Sequence, residues 1–227
     1  MASAWYFLVL LGGVVLLGSS VQRLAGIGFG LVGAPGLVLL MGPVQGVALV
    51  NCGSVAISAV GLAATWRLVR LRTMLPLVAA AGVSVPLGAY VARALPEPVL
   101  LTGLGSLVTV AVLLVMRGVR VGGLYGTGGA LAAGAVSGFM NSSAGIGGPA
   151  LSLYAVNEGW SARDFVPNAQ FYGLVVNVLS VFAKGVPRLT GSAWLLVAVT
   201  MTVGILLGGV IAARTPDHAA RRVIGST

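Results

Sequence analysis

Between residues 24 and 66 the chain runs 43 positions without a charged side chain, and between 121 and 157 it does so again for 37. Each run is too long for one membrane crossing and close to the length of two. Shorter charge-free runs fill much of the rest, at 1–22, 73–92, 98–116, 165–183 and 189–213. Lipid offers backbone amides no partners, so such segments must be helices or strands of a closed barrel. None of the runs alternates as barrel strands do. The expected fold is therefore an all-α polytopic integral membrane protein. A mean hydropathy of +1.05 and a charged content of 7% agree with it.

The 13 Lys+Arg against 4 Asp+Glu give a net charge of +9. In a soluble chain that balance would suggest nucleic acid. Here the basic residues sit in short breaks between apolar runs, the pattern of cytoplasmic loops facing anionic lipid. Cys52 and His218 are the only residues of their kinds, so neither a disulfide nor a metal cluster is expected, and no cofactor. No basic residue precedes Arg23, which makes residues 5–17 a poor signal peptide and a better first span. Trp5, Tyr6, Trp66, Trp160 and Trp194 are placed as interfacial anchors.

Both long runs are interrupted. Leu24 to Gly42 carries Gly26, Gly28, Gly30, Gly33, Pro35 and Gly36, and Pro43 separates it from Val44–Trp66. In the second run Asn141–Ser142–Ser143 precedes Gly145–Ile146–Gly147–Gly148–Pro149. Glycines bare the backbone amides, and Pro149 suits the first turn of a new helix. An amide-lined helix start inside an apolar segment can bind an anion without burying a formal charge.

The halves, 1–120 and 121–227, read as two homologous membrane repeats. Gly33–Ala34–Pro35 pairs with Gly147–Gly148–Pro149, Asn51 with Asn168, and Gly88, Pro96 and Glu97 with Gly208, Pro216 and Asp217. Five segments per complete repeat put ten basic residues inside, including Arg23, Arg117, Arg120, Arg163, Arg221 and Arg222. Three, Arg93, Lys184 and Arg188, then lie outside. One net crossing per broken region worsens the split to seven against five, so odd, inverted repeats are expected. The second repeat stops before a counterpart of the span 98–116, which a naturally short chain, a truncated gene or a homodimer that completes the fold would each explain.

Glu97, Glu158, Asp164 and Asp217 all fall in loops or at span edges. A cation site or proton relay would bury such groups instead. The embedded polar side chains are Asn51, Asn141, Ser142, Ser143, Asn168, Gln170 and Asn177. With Gly30, Gly33, Pro35, Gly145, Gly147, Gly148 and Pro149 they are the candidate anion-binding set, Asn177 being read chiefly as an interhelical bond. Gly134–Gly138 and Gly204–Gly208 have the spacing of helix packing. An intramembrane enzyme would need paired acids, a serine with a basic partner, or a metal, and none is embedded. A passive anion channel is the rival, distinguished by flux that fails to saturate. Because Asn141, Ser142 and Ser143 pair with Ile27, Gly28 and Phe29, side-chain donors are expected mainly from the second half.

The segments A-G-I-G-F-G-L-V-G-A-P-G-L-V-L-L (25–40) and G-A-V-S-G-F-M-N-S-S-A-G-I-G-G-P-A-L-S-L-Y (134–154) resemble the two signatures of the sulfite exporter TauE/SafE permeases. The stretch Gly145 to Tyr154 is the most specific part. The resemblance implies a multi-pass permease of the bacterial inner membrane that exports sulfite, related sulfur oxyanions or organosulfonates. Many such permeases carry an arginine after the phenylalanine that follows the second signature; here Phe165 is followed by Val166.

Overall fold

A computed structural model describes residues 2–26, 28–117 and 122–214. The described chain is helical: α1 Ala2–Ala25, α2 Phe29–Thr65, α3 Leu71–Ala94, α4 Glu97–Met116, α5 Gly126–Ala144, α6 Gly148–Asn157, α7 Ala162–Lys184 and α8 Gly191–Arg214, with a 3-10 turn at Trp66–Leu68. Five helices among the described residues, α1, α2, α3, α7 and α8, are long and apolar enough to cross a membrane. Ile27, Arg120 and the tail with Pro216, Asp217, His218, Arg221 and Arg222 lie outside the described residues, as does any counterpart of α4.

Helix α2 is two limbs. Gly42 has φ 78° and ψ 165°, which no right-handed helix accommodates, and Pro43 follows it. A Cβ on Gly46 would lie 2.6 Å from the carbonyl group of Leu37. In a straight helix these residues are about 13 Å apart, so the limb 43–65 folds back on 29–41. The short limb is about 20 Å long and the 10-residue α6 about 15 Å. Neither reaches across a hydrocarbon core of roughly 30 Å.

The packing units are not the halves of the sequence. One core joins α1 (Leu11, Val15), α2 (Phe29, Leu37, Leu49, Ile57) and α8 (Val197, Met201). The other joins α3 (Met74, Leu77, Ala81), α5 (Ala130, Ala133), α6 (Leu151, Tyr154) and α7 (Phe165, Tyr172, Val176). Each core thus takes one helix from the other half, α8 or α3. Small residues let these helices in: a Cβ on Gly138 would lie 2.7 Å from the Ala81 backbone, and one on Gly208 2.6 Å from the Ser20 carbonyl. The predicted packing role of both G-x-x-x-G pairs is what the backbone contacts give.

Directions follow from contacts at the helix ends. Arg70, just before α3, pairs with Asp164 in the first turn of α7 at 2.5 Å. Arg93 in the last turn of α3 donates to the carbonyls of Ala183 and Lys184 at 3.1 and 3.2 Å. Helices α3 and α7 therefore run parallel. Gly61 faces Gln170 while Gly173 faces Ser58, so the 43–65 limb runs antiparallel to α7. Ser161 starts α7 with a capping box, accepting from the Asp164 amide while the Asp164 carboxylate accepts from its own.

Several sequence expectations change. The first break falls at Gly26–Gly28, and Gly33 and Pro35 lie inside α2, whereas Gly147 and Pro149 open α6. Those two triplets therefore do not occupy matching places. Trp160 is no interfacial anchor; it is 5% exposed and packs edge-on against Tyr154, ring centroids 5.7 Å apart. Trp5, Tyr6 and Trp66 are exposed as anchors should be.

Candidate functional site

A cavity of about 50 Å³ lies between the two cores. A water needs roughly 10–15 Å³ on this measure, so the space suits a few waters or one small ion. From the first core come Gln22, Gly26, Gly28, Gly30, Ser54 and Ser58; from the second, Asn141, Gly145–Gly148, Tyr172, Gly173 and Asn177. Ser54, Ser58, Gly173 and Asn177 occupy the middle of the 43–65 limb and of α7, which puts the cavity at mid-depth.

The two helix breaks meet there. Each is the tetrapeptide Ala-Gly-Ile-Gly, at 25–28 and 144–147, 119 positions apart. Gly26 has φ 78° and Gly145 φ 75°, left-handed conformations that glycine adopts without steric cost. Contacts around them are reciprocal at the same separation: Gly26 packs on Val166, Gly145 on Val47 and Val50. Gly30 stands against the Gly145 carbonyl, with no room for a side chain between.

Polar side chains repeat the pattern. Gln22 Nε2 donates to Ser58 Oγ at 3.1 Å, and Asn141 Nδ2 to Asn177 Oδ1 at 3.0 Å, both pairs 36 residues apart. Gln22 and Asn141 themselves stand 119 apart, as do Ser58 and Asn177. Asn141 also donates to Ser180 Oγ at 3.2 Å. Ser137 Oγ donates to the Gly147 carbonyl at 2.7 Å, bracing the second break.

The starts of α2 and α6 both border the cavity, and neither has a side-chain cap. A helix start leaves its first amides without intrahelical partners and carries partial positive charge. Pro149 in the first turn of α6 removes one of those amides but fixes the turn. The cavity therefore has two such ends, neutral amide and hydroxyl groups, and no charged side chain among its lining residues.

Of the sequence candidates, Asn141, Gly145, Gly147, Gly148 and Gly30 line the cavity. Pro149 is buried beside it. Asn51, Gln170 and Ser142 are fully buried within hydrogen-bonding segments, yet none of their side-chain polar atoms has a protein partner. Asn51 and Gln170 are again 119 apart, on the two antiparallel helices. Asn168 is engaged elsewhere: its oxygen accepts from the Arg70 amide at 2.8 Å, and its nitrogen donates to the Asp164 carbonyl. Ser143 bonds back to Phe139, and with Pro35 it borders a separate apolar groove of about 410 Å³ between α2 and α4. Gly33 is buried inside α2 against Phe29 and Leu37.

Sequence reasoning missed Gln22, Ser54, Ser58 and Tyr172 as lining residues. The signal was there: Gln22 precedes Gly26 by the four residues that separate Asn141 from Gly145. The cavity does not share the expected asymmetry, since Gln22, Ser54 and Ser58 bring side chains from the first half.

The chain matches the family model described as Sulfite exporter TauE/SafE over residues 10–227. No curated protein and no solved structure matches it.

Proposed function

The chain belongs to the sulfite exporter TauE/SafE family, a family of membrane transporters for sulfur anions, and from that premise we propose that it exports sulfite or a related sulfur oxyanion or organosulfonate across a bacterial inner membrane. The anion sits in the cavity between the two breaks. One observation carries the reading: two uncapped helix starts meet at mid-depth in a cavity with neutral donors and no charged side chain.

The binding roles follow. Amides at the starts of α2 and α6, around Gly30 and Gly147–Gly148, face the anion, and Gly145 and Pro149 hold the second break open to it. Gln22, Ser54, Ser58, Asn141 and Asn177 contribute side-chain donors. Asn51 and Gln170, buried without partners, are groups that a shifted arrangement of the cores can recruit. Each neutral hydrogen bond contributes about 0.5–1.5 kcal/mol net and each helix end about 0.3–1 kcal/mol. Several together reach a few kcal/mol, and about 4 kcal/mol corresponds to millimolar affinity. An exporter must release its substrate, and a site of this strength does.

Alternating access is the mechanism we infer, with the two cores rocking about the cavity. The reciprocal contacts at a separation of 119 and the antiparallel run of the 43–65 limb against α7 support inverted repeats over 1–120 and 121–227. In this reading, with the two limbs of α2 counted separately, each rocking body contains three pieces of its own half and one from the other.

Efflux from proteoliposomes loaded with sulfite, thiosulfate, sulfoacetate or sulfate tests the substrate class. Saturable movement of sulfite or another of the sulfur anions is expected. Movement of none of the four would contradict the reading, and flux linear in concentration would favour a channel.

A further inference from the structure

The polar lining of the cavity continues along one face of α7. Asn177, Ser180 and Lys184 follow at intervals of three and four residues, all turned toward α5. Asn141 Nδ2 donates to the first two, and Lys184 Nζ donates to the Ser142 carbonyl at 2.6 Å. Lys184 is the chain's only lysine.

A lysine in the last turn of a helix ordinarily serves that helix's own terminal carbonyls. Here Arg93, from α3, already donates to the carbonyls of Ala183 and Lys184. The ammonium is directed onto α5 instead, beside the residue that lines the cavity. Among the described residues its one hydrogen-bond partner is that carbonyl, and no carboxylate pairs with it; the ion pair found there, Arg70 with Asp164, is at the opposite end of α7. An ammonium has three donors. The hydroxyl of the same residue, Ser142, is completely buried and has no partner.

We propose that Lys184 and the Ser142 hydroxyl form a relay subsite for the transported oxyanion, outside the central cavity and on its route to the C-terminal ends of α3 and α7. Seven residues of helix put it about 10 Å along α7 from Asn177. Lysine suits the role better than arginine: a point charge on a flexible stem can follow the anion, where a guanidinium would clamp two of its oxygens. Arg93 adds positive potential at the mouth, which raises the local anion concentration. The purpose of the subsite rests on the transport reading, but its anion-binding chemistry does not.

Cys52, the chain's only cysteine, lies half-buried on the limb of α2 that packs against α7. It is a native reporter. The full-length protein in proteoliposomes is treated with an anionic and a cationic methanethiosulfonate, and the ratio of their reaction rates at Cys52 is compared with that of K184Q, K184R and S142A. Loss of one nearby charge in a partly buried site should lower the anionic-to-cationic ratio at least about tenfold in K184Q. K184R should hold the ratio within about twofold, since it keeps the charge. A ratio unchanged in K184Q would overturn the proposal. So would a Cys52 that reacts with neither reagent, because no aqueous route would then reach the lysine.

A second arm uses radiolabelled sulfite presented from the same end: K184Q and S142A should raise KM with Vmax kept, the lysine change by about tenfold and the serine change by about threefold. A wild-type protein that moves no sulfite yet shows the charge-dependent ratio would refute the transport reading and leave the anion subsite standing.

Discussion

The break after α1 and the break after α5 share a tetrapeptide and a left-handed first glycine, but Gly28 has φ 136° where Gly147 has φ -92°, and their surroundings differ. Both read Ala-Gly-Ile-Gly, both turn on a left-handed glycine, and both set an amide side chain four residues upstream. After the first break the chain continues through the limb 29–41, a turn at Gly42 and the limb 43–65, and after the second through α6, a turn and α7, so the order of pieces is the same. Gln22 holds one partner, Ser58, whereas Asn141 holds Asn177 and Ser180. Shared geometry provides the helix starts that face an anion. The unequal side chains set how firmly each break is tied to its neighbouring long helix.

The largest effects should come from filling the contact between the breaks. A side chain on Gly30 would displace the Gly145 carbonyl, and a Cβ on Gly147 would lie 2.8 Å from the Ser137 carbonyl. Gly30→Val and Gly147→Val should each reduce sulfite efflux on the order of 100-fold, the scale of an ångström's misplacement in a preorganised site. Immunoblots should find the proteins still in the membrane. If only one variant loses transport, the two breaks are not equivalent.

Truncating the amides should separate them. Asn141→Ala removes two hydrogen bonds and should lower efflux about tenfold, while Gln22→Ala removes one and should lower it about threefold. Initial rates over a concentration series measure both. Equal losses would mean that the second tie, to Ser180, contributes nothing.

Smaller effects belong to the turn glycines. Gly26→Ala and Gly145→Ala each force a Cβ into a left-handed conformation, costing about 1–2 kcal/mol, and should lower the thermal midpoint in detergent by a few degrees. The Gly145 variant should fall further, because its Cβ meets Val50 at 3.0 Å against 3.3 Å for Gly26 and Val166. Smallest of all, double-mutant cycles on Gln22/Ser58 and Asn141/Asn177 should each return a coupling near 0.6 kcal/mol, the scale of interhelical hydrogen bonds in membranes.

The membrane class was legible because lipid leaves only helices or a closed barrel for runs without charge, and these runs do not alternate as barrel strands do. The second break was legible too, since a polar triplet runs directly into G-I-G-G-P, where one helix ends on a left-handed glycine and the next starts at a proline. The first was placed several residues too late. Pro35 drew attention as a helix breaker, yet it lies inside α2 at an exposed position, and the helix continues through it to Gly42. The repeated tetrapeptide was the better guide, because its first glycine takes a left-handed conformation in both copies. Trp160 misled for a different reason. Tryptophan is enriched at interfaces, but the loop between α6 and α7 folds inward, and Tyr154 receives the ring. The exchange of α3 and α8 between the cores left no mark in the pattern of spans, since it depends on which helices close around which.

The account stands on one anion being carried by two cores that close alternately around the paired breaks. Counterflow tests it most directly: proteoliposomes preloaded with unlabelled sulfite are diluted into a trace of labelled sulfite. A carrier should accumulate label transiently above equilibrium, and Gly147→Val should abolish the overshoot. Label that rises monotonically to equilibrium in the wild-type protein, at a rate linear in sulfite, would contradict the account.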